Sequence, residues 1–173
     1  MAHATELRGA RVVLRTTVDA DIPELAAIRA TPEVRAWWRG GDDLAAEIAA
    51  DLADPATHAL TVRHEGRVVG MAQWYAEADP DYRHAGIDVF LAPAVHGRGL
   101  GTDTVATLAR HLVDDHGHHR LIIDPAAANT AAIRCYTRVG FRPVGILRQY
   151  ERSADGGWHD GLLMDLLAHE LRR

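Results

Sequence analysis

The sequence predicts a mixed α/β sheet flanked by helices, built as one domain over residues 1–173. Three observations carry this. The chain has 173 residues, 47% of them hydrophobic, enough for one sizeable core. Strand-like segments dominate its first and last thirds, and strand–helix–strand crossovers lie between them. No linker or internal repeat interrupts the pattern.

Arg11 to Val18 alternates apolar and polar side chains and is rich in β-branched residues, as a strand requires. Asp19 and Asp21 open a helix with Pro23 in its first turn, where a missing N–H costs nothing, and Ile22, Leu25 and Ile28 follow at three-residue steps. Thr31 is placed to cap a further helical turn running to Trp38. Past Gly40-Gly41, Asp42 or Asp43 caps a helix with Leu44, Ile48 and Leu52 on one face. His58 to His64 and Arg67 to Tyr75 read as a hairpin around Glu65-Gly66. A polar stretch, Glu77 to Arg83, leads to a strand over Gly86 to Leu91. A helix is expected from Gly99 to about His116, with Gly117 as its terminator. Leu121 to Asp124 has the short apolar form of a buried strand. Asn129 or Thr130 caps a helix whose Ala132, Cys135, Tyr136 and Val139 form an i, i+3, i+4, i+7 stripe ending at Gly140. Phe141 to Tyr150 and Leu162 to Leu167 close the sheet around Gly156-Gly157.

No apolar run approaches the roughly 18 residues of a membrane span, and Met1 to Glu6 carries neither a basic stretch nor a hydrophobic signal core. A soluble, cytoplasmic protein without a membrane partner is expected. The single cysteine, Cys135, forms no internal disulfide and removes zinc patterns built on paired thiolates. With 24 acidic and 19 basic residues the net charge is −5, which disfavours nucleic acid and favours a cationic or neutral small molecule. His111, His116, His118 and His119 lack metal-ligand spacing and read as a solvated helix end, so no metal is expected.

The segment most informative about chemistry is His96-Gly97-Arg98-Gly99-Leu100-Gly101-Thr102, with alternate glycines where a strand meets a helix. Such a loop exposes unpaired main-chain N–H groups at the positive end of a helix and suits a pyrophosphate. It lacks the Gly-Lys-Ser/Thr of a P-loop, and its glycines are too close for G-x-G-x-x-G. The same glycines equally serve a tight packing turn. The loop resembles the acyl-CoA pyrophosphate loop of the GNAT N-acetyltransferases, Q/R-x-x-G-x-G/A, with His96 in place of Gln or Arg. Asn129 to Phe141 is similar to the family's N-x-x-A-x-x-x-Y-x-x-x-G-F helix. Within the family the chain looks like aminoglycoside 6′-N-acetyltransferases across about residues 31 to 141, through Trp37 to Gly41, Ala72 to Tyr75, Gly86-Ile87-Asp88 and Asp124 to Tyr136. The Glu77 to Arg83 segment does not match them.

The resemblance implies a largely antiparallel sheet that splays into an acyl-CoA cleft, acetyl-CoA as donor, and direct attack by an amine. It places main-chain donors at Val89, Phe90 and Leu91 against the thioester, the 96–102 loop on the pyrophosphate and Asn129 on the pantetheine arm. Tyr136 becomes the acid that protonates the sulfur, although its stripe would equally pack a tyrosine in the core. Asp88 is the base candidate and Asp124 the substrate anchor, where an Asp-Pro turn is the plainer account of Asp124. Asp88 among Ile87, Val89 and Phe90 needs either solvent or a partner. Trp37 and Trp38 suit one wall of a sugar cleft, one of them buried and the other partly exposed, and Gln73 adds a neutral polar group. Cys135 on an apolar stripe argues against an acyl-enzyme.

The expected activity is therefore acetyl transfer to an aminoglycoside, the 6′-amine favoured. Other acceptors, namely a polyamine, a siderophore precursor or a protein N-terminus, stay open, as does a non-catalytic acyl-CoA-binding module. A monomer or a homodimer through a late strand is expected.

Overall fold

A computed structural model describes residues 6–172; the 1–5 part of the segment read for a leader lies outside them. Its centre is one eight-stranded sheet. The strands are β1 (Glu6–Arg8), β2 (Val13–Thr16), β3 (His58–His64), β4 (Arg67–Ala76), β5 (Ala85–Leu91), β6 (Arg120–Ile123), β7 (Arg142–Arg152) and β8 (Trp158–Leu167). Their spatial order is β1-β2-β3-β4-β5-β6-β8-β7, and β5 with β6 is the single parallel pairing among the described residues.

Five helices cover the sheet: α1 (Ile22–Arg29), α2 (Pro32–Arg35), α3 (Leu44–Ala53), α4 (Leu100–Asp114) and α5 (Thr130–Val139). Before residue 58 the three predicted helices form beside two short strands, so strands do not dominate the first third as expected. Strand β1 is too short to carry a period-2 signal, and it forms because Asp103 of α4 accepts the N–H groups of Ala10, Arg11 and Val12 in the turn that follows. Asp21 does not cap α1 through its side chain. Its buried carboxylate instead takes Arg15 in a two-pronged pair at 2.6 and 2.9 Å and the Thr61 hydroxyl at 2.8 Å. Thr31 likewise does not cap α2, because its hydroxyl donates back to Ile28 O. Asp43 and Asn129 do cap, accepting from Ala46 and Ala132 N–H. At Glu65-Gly66 both residues have positive φ (49° and 79°), the mirror-image turn that matches strand twist.

Each face of the sheet buries its own core. Leu25, Ile28 and Ile48 of α1 and α3 pack on Met71 and Phe90, while Val105, Leu108 and Leu112 of α4 and Tyr136 and Val139 of α5 pack against the opposite face. Alternation along β5 therefore sends Asp88 and Phe90 to one side of the sheet and Ile87 and Val89 to the other. The histidines after α4 are not all solvated: His118 is buried, and His116 lies edge-on to Trp74 at 4.7 Å. An aromatic ring beside the helix end recruits them, which local spacing does not reveal. Among the described residues no helix is long and apolar enough to cross a membrane, and no group of three or more His, Cys, Asp or Glu side chains is arranged to hold a metal ion.

Candidate active site

The parallel pairing of β5 and β6 is only two residues long, Ala85 with Leu121 and Gly86 with Ile122, and β5 runs on five residues past it. Beyond Gly86 the strands part. On its other side β5 stays in register with β4, and Ala92 N–H donates to Val69 O just past its end. Antiparallel alternation then turns the main chains of Asp88 and Phe90 to β4 and those of Val89 and Leu91 to the open side. His96 donates its Nε2 proton to Leu91 O at 2.8 Å, which leaves Val89 with both main-chain groups, and Leu91 with its N–H, facing the split.

The glycine loop lies between β5 and α4. Gly97 and Gly99 have φ of 71° and 79°, the left-handed region where a side chain is strained, and a Cβ at either would meet nothing within 4 Å. Open space above the main chain and a helix start with no side-chain cap present the N–H groups of Leu100, Gly101 and Thr102 to a ligand. Leu100 contributes only main chain, since its side chain is fully buried. Gly101 has a different purpose: a Cβ there would stand 3.3 Å from Cys135 Sγ, so it sets the close approach of α4 to α5. The loop is tied down by His96 and by Arg11, whose guanidinium donates to Arg98 O at 2.6 Å. Arg11 adds a cation beside the loop that its place in a strand pattern concealed. An uncapped, open, positively polarised loop fits the pyrophosphate of a coenzyme A.

At the mouth of the split, Asp88 and Asp124 occupy equivalent steps, two residues beyond Gly86 and Ile122. Asp88 stands opposite Gln73 on β4, with Gln73 Nε2 3.5 Å from Oδ2. Burial above all, then the charge of Asp124, with smaller pushes from Glu151 and Asp51, raises the Asp88 carboxyl to about 6. Gln73 Oε1 is buried without a hydrogen-bond partner among the described residues. Glu151 on β7 is itself pushed up, first by burial and then by Asp124.

Asp124 accepts a hydrogen bond from the Tyr150 phenol at 2.5 Å. Tyr75 lies over Gly86, where a Cβ would touch its ring, and its phenol is raised by burial and then by Asp124 and Asp88. Tyr136 is buried on the stripe of α5, and its phenol is pushed well above the tyrosine range by burial and by the charges of Cys135, Asp88 and Asp124. Cys135 sits under Thr102, its thiol pushed up by burial. Trp37 is exposed and shares a cleft of about 400 Å³ with Trp158, His159 and Asp160; Trp38 is half-buried, edge-on to Phe90 at 5.0 Å. Sequence reasoning missed Tyr75, Tyr150 and Glu151, which stand beside Asp88 and Asp124 on β4 and β7. The Glu77 to Arg83 stretch is an exposed loop closed by Tyr82 N–H on Asp79 O.

Residues 17–148 match the acetyltransferase (GNAT) domain family. The chain is 30% identical over 154 residues, 78% of its length and 75% of the relative's, to an aminoglycoside N(6′)-acetyltransferase type 1 of Klebsiella pneumoniae. It is 34% identical over 103 residues, 57% of its length and 31% of the relative's, to a mycothiol acetyltransferase of Arthrobacter sp. (strain FB24). Its fold superposes on AAC(6′)-Ib in complex with paromomycin and acetyl-CoA at a TM-score of 0.76 and 27% identity, covering 94% of this chain and 98% of the other. Because the family match takes in the glycine loop, the strand split and the acidic pair together, the chain belongs to the GNAT acetyltransferase family and is an enzyme whose acyl donor is acetyl-CoA.

Proposed function

We propose that the protein acetylates an amino group of an aminoglycoside, the 6′-amine favoured, by direct attack of that amine. The observation that carries this reading is the pair of carboxylates on the two lips of the split, Asp88 of β5 and Asp124 after β6, with Glu151 of β7 next to the tyrosine that donates to Asp124. Carboxylates gathered at one mouth form a negative field suited to a ligand carrying several ammonium groups. The buried Gln73 Oε1 offers that ligand a further acceptor.

Acetyl-CoA would rest on the 97–102 main chain and, with Asn129 beside the split, supply the activated acyl group. The chain's own residues do the remaining work. Val89 N–H faces the open side of β5 as a donor to a carbonyl oxygen. Asp88, raised to about 6, is ionised at neutral pH yet basic enough to take a proton from the acceptor's ammonium, directly or through water. Asp124 holds a second ammonium, and the flat face of Trp37 lines the outer cleft. Tyr136, its phenol raised, keeps its proton at neutral pH and has it to give to the departing sulfur. Cys135 is packed under Thr102 with a raised pKa, which disfavours an acyl-cysteine.

The test is coenzyme A release from acetyl-CoA with kanamycin or tobramycin, beside spermidine and an N-terminal peptide, for wild type and Asp88→Asn. Saturable turnover confined to the aminoglycosides and lost in the variant is the expected result. Turnover of the peptide alone, or of no amine despite tight acetyl-CoA binding, would remove the aminoglycoside reading.

A further inference from the structure

We propose that Tyr150 is a positioning residue for the acceptor: its phenol holds the Asp124 carboxylate in the orientation that receives an ammonium group of a polycationic substrate. This rests on reading Asp124 as the acceptor's anchor.

The backbone is bent to deliver that contact. Strands β7 and β8 pair regularly from Gly145 with Leu163 to Leu147 with Gly161, then lose register until Glu151 with His159. Within that irregular step Gln149 has φ of 49°, one of two non-glycine residues with positive φ among those described. The strained turn is pinned from β8, where Asp160 Oδ1 accepts Gln149 N–H at 2.8 Å. Tyr150 then crosses β8 at Gly161, where a Cβ would stand 2.8 Å from its Cδ1, so only glycine leaves room for the ring. The segment carrying Asp124 is fastened to the same stretch of β8. Ala126 bridges Gly161, Ala127 N–H donates to Asp160 O, and Leu162 N–H donates to Pro125 O. The bulge, the pinned backbone and the glycine slot all converge on one hydrogen bond at the substrate mouth.

The chemistry of the donor is what favours a substrate role. An arginine or lysine in its place would neutralise Asp124 and compete with a cationic acceptor. A phenol orients the carboxylate while leaving its charge intact for the ligand. The phenol keeps its proton at neutral pH, because its hydrogen bond to Asp124, then burial and the charge of Asp124, raise it well above the tyrosine range. A purely structural tie would gain nothing from standing half-exposed at the mouth.

The experiment is steady-state kinetics with kanamycin and with spermidine at saturating acetyl-CoA, for Tyr150→Phe, Asp124→Asn and the double variant. Tyr150→Phe should raise the acceptor KM roughly tenfold, as for a lost hydrogen bond to a charged group, with kcat within about twofold and the acetyl-CoA KM unchanged. In the Asp124→Asn background it should add nothing. Gly161→Ala, which displaces the ring while keeping the phenol, should shift KM in the same direction and serves if Tyr150→Phe fails to fold. An Asp124→Asn effect on acceptor KM with none from Tyr150→Phe or Gly161→Ala, or fully additive effects, overturns the role of Tyr150 alone. No Asp124→Asn effect, or no wild-type turnover of either amine, overturns the anchor reading and this inference with it.

Discussion

Asp88 and Asp124 stand two residues beyond the last parallel pairing of the sheet, Gly86 with Ile122, one on each lip of the gap where β5 and β6 separate. Because the strands are parallel to that point, equal steps bring both carboxylates to the same end of the split, where the charge of Asp124 helps raise Asp88 to about 6.

Activity should therefore have an acidic limb near pH 6. The kcat/KM profile of the wild type should fall below that pH as Asp88 takes up its proton, and Asp124→Asn should move the limb lower by removing a neighbouring negative charge. Asp88→Asn should lower kcat by about 10²-fold or more, as for loss of a general base.

The same raised carboxyl bears on stability. A carboxyl raised in the folded state binds its proton more tightly there than in the unfolded chain, so stability falls as pH rises from about 4 to about 6 and is level above. Asp88→Asn should stabilise the protein by roughly 1 to 3 kcal/mol at pH 7. Thermal unfolding of the variant against wild type at pH 4 and pH 7 checks this, with a gap at pH 7 only.

Asp21 works in the opposite sense. Burial pushes its carboxyl up, but hydrogen bonds from Arg15, Val18 N–H and Thr61 outweigh burial and hold it below the usual range. Its contribution is complete above about pH 4 and is lost as pH falls through the lowered value. Asp21→Ala removes the carboxylate partner of Arg15 and should cost about 3 kcal/mol in a denaturant titration at pH 7, without changing substrate KM in the folded fraction.

Gly97 and Gly99 hold left-handed conformations with open space above them. If the loop holds the pyrophosphate as proposed, Gly99→Ala should raise the acetyl-CoA KM by about tenfold or more by straining the loop by roughly 1 kcal/mol and placing a methyl group over its main chain. The acceptor KM should not move.

The two tryptophans should separate cleanly. Trp37, 44% exposed, should when changed to Ala raise the acceptor KM and leave Tm within a degree or two. Trp38, packed on Phe90 with the Arg29 guanidinium over its ring, should cost about 2 kcal/mol of stability on truncation.

Much of the site was legible because its signals are local. Glycines at a strand-to-helix junction, an Asn three residues before the N–H it caps, and an apolar stripe that includes Tyr136 are each set by main-chain conformation within one element. Thr31 shows the complementary case: it stands where a cap would stand, but its hydroxyl donates to Ile28 O. Asp21 lies at the helix start that the sequence predicts, yet its carboxylate turns to Arg15 and Thr61. Strand β1 gave no signal because three residues cannot establish alternation.

The sequence by itself determined the Glu65-Gly66 hairpin, the helical faces and the glycine loop at a strand-to-helix junction, since strands joined by a two-residue turn have few alternative registers and a helical face repeats within one element. Only the tertiary structure decided which side chains share the mouth of the split. Tyr150 and Glu151 reach Asp124 because β8 inserts between β6 and β7 and because β7 bulges at Gln149. Both depend on contacts between residues far apart in the chain, and no local periodicity encodes a contact whose partner is 26 residues away.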